Sequence, residues 1–328
     1  MKARMSPLPQ NSILSRHRWS RGEFIWLAAA VATWFAFPEY LSLGTSVLVM
    51  VILVLSFDLL LGFAGVLSLG HAVFFGLGAY VAGWLALAGW TEPVSVAVAG
   101  MLASAALAAV MGPFLLRLTG LPLMMVTLAL GAMVFEAGHK ASRWTGGDDG
   151  LPGIVFAPVL GVFDWGLGGS TSYLYVLAWL VVVFVLLKRL VASPLGVVLQ
   201  GIRENPGRMR LIGNPVLPHL TAAYTIASGL AGLAGALFTQ ANAFVGLGVL
   251  AVDTSVDVLV MLVLGGVGGL HGALIGAPLY MLLKHFTQQW NPFYWMLIIG
   301  VLLVAVVLSG RGGMLGVLRS LLRRGAPN

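Results

Sequence analysis

Leu43-Gly44-Thr45-Ser46-Val47-Leu48-Val49-Met50-Val51-Ile52-Leu53-Val54-Leu55-Ser56-Phe57-Asp58-Leu59-Leu60-Leu61 runs without a polar loop into Gly62-Phe63-Ala64-Gly65-Val66-Leu67-Ser68-Leu69-Gly70-His71-Ala72. The first part is apolar but for three hydroxyls and Asp58 and, as a helix rising 1.5 Å per residue, comes close to crossing a hydrocarbon core of about 30 Å. It does not alternate in polarity, as a strand of a membrane barrel would. The second part is too rich in glycine to continue a regular helix. A spanning helix that leads into a break is the unit from which the rest of the chain is read.

Working outward, similar apolar runs recur at Phe24–Phe37, Val66–Leu87, Val94–Leu116, Leu121–Gly138, Tyr173–Leu187, Leu220–Ala241, Val256–Leu264, Ala273–Phe286 and Phe293–Leu308. The chain of 328 residues is 59% hydrophobic and only 9% charged, and its mean hydropathy is +0.97. The expected fold is therefore an all-α polytopic membrane protein with about ten transmembrane spans. The eighth run, and with it the ninth, is short for a crossing, which predicts broken or re-entrant helices around Gly265–Gly272. Residues 1–23 form a basic extension, 24–310 the membrane domain and 311–328 a basic tail. The first span has no small-residue cleavage site after it and reads as uncleaved.

Charge orients this scheme. Fifteen of the 18 Lys and Arg residues fall on the side of the N-terminus, leaving Lys140, Arg143 and Lys284. Such a bias places both termini in the cytoplasm. Residues 144–171 then form an external loop and 188–218 a cytoplasmic one. The net charge of +7 is a product of topology and does not call for nucleic acid.

A second break mirrors the first: Gly265-Gly266-Val267-Gly268-Gly269-Leu270-His271-Gly272. Irregular backbone at membrane depth survives only where protein or a water-filled cavity satisfies it, and such breaks commonly form the substrate path of transporters. The competing reading is close helix packing through small residues. The candidate path residues are Gly62, Gly65, Ser68, Gly70, His71, Gly265, Gly266 and Gly268. His71 and His271 each precede a tyrosine by nine residues, a weak echo of duplication. The ionisable residues in or near the spans are Asp58, His71, Glu136, His139, Asp257, His271, Lys284 and His285. Most lie near predicted span ends, where charge is cheap.

Several chemistries are excluded by absence from the sequence. There is no cysteine, so no thiolate metal site or disulfide, and no P-loop, His-Glu-x-x-His or Gly-x-Ser-x-Gly motif. No catalytic or metal-ligating residue is assigned, and no cofactor is expected on this chain. Against this background stands one polar island, Gly201-Ile202-Arg203-Glu204-Asn205-Pro206-Gly207-Arg208-Met209-Arg210. The pattern predicts a short helix over Leu195–Arg203 and a second over Gly207–Ile212, separated by Pro206. Arg203, Glu204, Asn205 and Arg208 offer charge-assisted contacts to a soluble partner, and the loop is longer than a plain connection needs.

Four motifs, in order, resemble the second permease subunit of bacterial branched-chain amino-acid ABC importers. They are the first break, Gly62 to Ala72; Thr145-Gly146-Gly147-Asp148-Asp149-Gly150-Leu151; the island from Ile202 to Gly213 with Ser228-Gly229-Leu230-Ala231-Gly232-Leu233-Ala234-Gly235-Ala236-Leu237; and Leu264-Gly265-Gly266-Val267-Gly268. The resemblance covers about residues 43 to 285. It implies an inner-membrane permease that moves branched-chain amino acids by alternating access. The implied partners are a sister permease, two cytoplasmic ATPase subunits that carry ATP and Mg, and a periplasmic solute-binding protein. In that setting Arg203, Glu204, Asn205 and Arg208 form the segment coupled to an ATPase, and Gly146, Gly147, Asp148 and Gly150 mark the external loop. Pro206-Gly207 and Asp58 depart from the family pattern, the latter standing where asparagine is common. Related permeases serve urea and short amides. The rival readings are a self-contained ion-coupled carrier or channel, working through Asp58, Glu136 or His71, and a membrane scaffold.

Overall fold

The computed structural model describes residues 21–159, 161, 163–165, 169–290, 296–298, 300, 301 and 304. The basic stretch 1–20, the tail 311–328 and most of the tenth expected run, Phe293–Leu308, lie outside the described residues. Among them the regular structure is helical, and only isolated bridges such as Leu151 with Val245 occur in place of strands.

The helices are α1 (Arg21–Ala36), α2 (Leu41–Asp58, extended by a π-turn over Leu59–Ala64), α3 (His71–Leu87), α4 (Pro93–Leu115), α5 (Leu121–Lys140), α6 (Ser170–Ala192), α7 (Pro194–Glu204), α8 (Pro206–Leu211), α9 (Val216–Asn242), α10 (Val252–Gly265) and α11 (His271–Trp290). Among the described residues, five helical stretches are long and apolar enough to cross a membrane: Pro38–Ala64, α4, α5, α6 and α9. The chain is thus an all-helical polytopic membrane protein. Several expected boundaries shift by a few residues, and two change the reading. The third run begins as a helix only at His71, because Gly65–Gly70 is not helical, and the ninth is a full 20-residue helix, not a short one. The eighth is short as expected, 14 residues, or about 21 Å of helix.

Burial sorts the helices. The apolar windows of Pro38–Ala64 and α9 are 83% and 78% buried, against 28% and 22% for α4 and α5. Helices apolar on every side belong at the centre of a bundle, and α2 and α9 occupy it. Small residues let α9 approach its neighbours closely. A Cβ on Gly235 would stand 1.8 Å from the Phe75 carbonyl oxygen, and one on Gly78 2.0 Å from that of Gly232. Hydroxyls stitch the same seam: Ser104 donates to the Phe74 carbonyl at 2.9 Å and Thr239 to that of Ala79 at 3.0 Å. The Ser228–Leu237 motif is thus the packing surface of α9. At the periphery, the Trp26 indole donates to the Leu274 carbonyl at 2.7 Å and the Tyr173 hydroxyl to that of Ala30 at 2.7 Å, tying α1 to α11 and α6.

Candidate functional site

The two breaks, far apart in sequence, meet at one end of the bundle. α2 loosens into its π-turn, Gly65 adopts φ +71°, and the chain runs without helix to Gly70 before α3 starts at His71. Gly62 touches the second break: a Cβ there would lie 2.7 Å from the Gly268 nitrogen and 2.1 Å from Asp58 Oδ1. Only glycine permits that approach. Asp58 is fully buried, and its Oδ1 accepts a hydrogen bond from the Gly268 N–H at 2.8 Å. Its Oδ2 has no hydrogen-bond partner among the described residues.

Arg203 completes the cluster. It sits in the last turn of α7, and its guanidinium donates to the Gly62 carbonyl. The aliphatic part of the side chain covers Gly65, where a Cβ would come within 2.9 Å of Arg203 Cγ, and Nη1 borders Gly268. Arg203 of α7 therefore touches both breaks. Beside it, a cavity of about 620 Å³ is lined by Gly65 and Val66 of the first break and by Arg117, Arg203, Pro206 and Arg210.

Beyond Gly65, the open backbone of the first break is met by side chains from distant helices. Thr127 Oγ1 of α5 accepts from the Leu69 N–H at 3.1 Å, and Ser255 Oγ of α10 accepts from the Ala72 N–H at 2.9 Å. Ser68 Oγ accepts from the Gly70 N–H at 3.4 Å. His71 is buried, with Nε2 2.8 Å from Ser56 Oγ. Ser56 already gives its single proton to the Leu53 carbonyl at 2.6 Å. The shared bond therefore requires the proton on Nε2, which leaves Nδ1 an acceptor with no partner among the described residues.

The second break is built differently. Gly266 (φ +107°) and Gly268 (φ +85°) make a tight turn from α10 to α11. A Cβ on Gly265 would stand 1.9 Å from the Gly272 carbonyl oxygen, and one on Gly276 2.0 Å from that of Met261. Gly265 and Gly266 thus serve a helix crossing, while Gly268 alone reaches the cluster. His271 opens α11 as His71 opens α3, and Tyr80 and Tyr280 are both buried, so the sequence echo has a local structural counterpart.

The remaining assigned residues lie elsewhere. Glu204 and Arg208 are exposed. Asn205 caps α8, its Oδ1 accepting from the Arg208 N–H at 2.9 Å. The two expected short helices are present, split at Pro206, which is the first residue of α8. Beyond α5, Gly146, Gly147 and Gly150 all have positive φ and fold the Thr145–Leu151 motif into a compact turn. That turn is pinned by the Leu151 N–H donating to the Val245 carbonyl at 2.8 Å, and Asp148 pairs with His139 at 3.1 Å. Glu136 forms an exposed i,i+4 pair with Lys140 at 3.7 Å. Thr127 and Ser255 were not visible in the sequence, because hydroxyls are common in such spans and no spacing singles them out.

Buried Asp58 and Gly62 thus join the two helix breaks, and the exposed Arg203 ties the α7–α8 helix pair to them. Apolar helices with broken segments are of the kind that membrane transport components use. The family model described as "Branched-chain amino acid transport system / permease component" matches residues 40–307, and the chain belongs to this family. It is 30% identical to the "High-affinity branched-chain amino acid transport system permease protein LivM" of Escherichia coli (strain K12), over 91% of this chain and 76% of that protein. The protein of the same name from Salmonella typhimurium is also 30% identical, with the same coverage. A "Probable branched-chain amino acid transport permease protein LivM" of Methanocaldococcus jannaschii is 29% identical over 34% of each chain. No solved structure matches significantly.

Proposed function

We propose that this chain is the permease subunit of an ATP-driven importer that carries branched-chain amino acids across the bacterial inner membrane by alternating access. It crosses ten times with both termini in the cytoplasm. It pairs with a second permease, docks α7–α8 on one of two ATPase subunits, and receives its solute from a periplasmic binding protein. Nucleotide and Mg belong to the ATPases. The relatives' names support the cargo, and the clustering of basic residues supports the orientation.

One observation carries the reading: Arg203, at the tip of the helix pair offered to the ATPase, holds the Gly62 carbonyl and packs on Gly65 and Gly268. Movement of α7 by a partner displaces the residue that bridges both breaks. The glycines supply soft backbone there, and Asp58 supplies a bond between the breaks that is remade on closing.

The test is purification in mild detergent from the native cell, with bound proteins identified by mass, followed by reconstitution into vesicles. The expected result is recovery of two P-loop ATPases and a second permease, with leucine uptake that needs ATP. A chain recovered alone that moves solute without ATP sinks the proposal.

A further inference from the structure

The cavity beside Arg203 has a chemistry that the breaks do not require. Three arginines line it: Arg117 from the turn after α4, Arg203 from α7 and Arg210 from α8. No acidic side chain among the described residues lines it. All three arginines are exposed. Arg203 donates to the Gly62 carbonyl, whereas Arg117 and Arg210 form no hydrogen bond or ion pair with another described residue. A guanidinium has five N–H donors, so each of the three still has donors to offer. The floor is aliphatic, made by the buried side chains of Val66, Leu116, Leu123 and Leu220. At about 620 Å³ the space lies within the range of about 300–1,000 Å³ typical of ligand sites. Its rim is open at Gly120, where a Cβ would meet nothing within 4 Å. The apolar lining also continues outward. Leu121 is part of it, and Leu121 and Met125, one turn apart on α5, are each 69% exposed.

We infer that this cavity binds an anionic phospholipid, its phosphate held by Arg117 and Arg210 and its acyl chains laid on the aliphatic floor and the exposed face of α5. Arginine matches phosphate with two parallel N–H bonds, and basic pockets between the helices of membrane proteins take anionic headgroups in this way. A soluble phosphate or an acidic protein loop would use the arginines and gain nothing from the floor. A phospholipid uses both. A zwitterionic solute is disfavoured here, because no carboxylate lines the cavity to receive its ammonium. Arg203 stands in the same lining, so the lipid phosphate lies against the residue that joins α7 to both breaks. Only the choice of leaflet, the cytoplasmic one, rests on the orientation proposed above; the binding does not depend on the importer reading.

The test titrates the full chain in mild detergent with phosphatidylglycerol, or with phosphatidylcholine of the same acyl chains, and counts lipid-bound species by native mass spectrometry. Wild type is expected to bind its first phosphatidylglycerol at least tenfold more tightly than phosphatidylcholine. Arg117→Gln and Arg210→Gln are each expected to weaken that preference several-fold, and the double variant to abolish it, at unchanged melting temperature. Arg143→Gln, which removes an equal charge outside the cavity, is expected to leave it intact. Equal affinity of wild type for the two lipids overturns the site, as does a preference that survives in the double variant. A double variant that keeps the preference but no longer retains a co-purifying subunit reassigns the arginines to a protein contact. Glycerol 3-phosphate, the headgroup without chains, is expected not to displace the lipid even in large excess. Displacement would mean a soluble-anion site and overturn the lipid. Should the double variant melt early, the two single variants decide by the same comparison.

Discussion

The two glycine breaks look alike on paper and differ in construction. The first, Gly65–Gly70 with the start of α3, has its Leu69 and Ala72 amides met by hydroxyls from α5 and α10, so its shape depends on where those helices stand. The second, Gly265–Gly272, is a tight turn whose neighbouring helices touch backbone to backbone at Gly265, Gly272 and Gly276. A segment held by bonds to other helices changes when those helices shift. A close-packed crossing moves as one body. The first break is accordingly the deformable part, and the α10–α11 hairpin a rigid lever that meets it at Gly268.

The largest effect should come from the lever. Gly265→Val forces a side chain into the Gly272 carbonyl at a site with no room to relax, and such overpacking costs about 1–3 kcal/mol or more. Loss of monodisperse protein on size exclusion is expected, and a well-folded variant would break the distinction between the two breaks. Next comes Arg203→Ala, which removes the bridge between α7 and both breaks while touching little of the core. Uptake should fall at least tenfold with insertion intact, and wild-type uptake would uncouple the helix pair from the breaks.

Thr127→Val and Ser255→Ala each leave one backbone N–H of the first break without its partner, at about 1–3 kcal/mol where it is buried. Faster hydrogen exchange is expected over residues 65–72 and not over 265–272, which sharpens the contrast directly. Asp58→Asn should be milder still, because an amide oxygen accepts from Gly268 as well as a carboxylate does. Uptake within a few-fold of wild type is expected, whereas a proton-coupled carrier would lose it entirely.

The smallest effect lies at Glu92, outside the spans, where the carboxylate accepts from the Ser95 N–H at 2.8 Å as the cap of α4. Hydrogen bonds to Ser95 hold its pKa below the usual carboxylate value. A group depressed in the fold contributes stability in full above its unfolded pKa and loses it as pH falls through the folded one. Glu92→Gln should therefore lower the melting temperature slightly at neutral pH and not at all in strong acid.

Much of the fold is legible in the chain because hydrocarbon enforces it: long apolar runs have to be helices. The splitting of the polar island at Pro206 and the turn at Gly146–Gly150 are equally local, set by proline and by positive φ. The runs misjudged were those where composition hides geometry. Val66–Gly70 is as apolar as its neighbours, but Gly65 and Gly70 end helices on either side of it. Residues 287–290 are polar enough to look like a loop, yet α11 continues through them to Trp290.

The sequence alone thus determined the helical class, the apolar runs that became the long helices, the charge asymmetry and the family, all consequences of composition and local conformational preference. Only the tertiary structure decided that Arg203 reaches Gly62 across 141 residues, that Asp58 bonds Gly268 across 210, and that Lys284 faces Asp257. Those pairings follow from which faces of which helices meet. In chains apolar on every side, no periodicity records that choice.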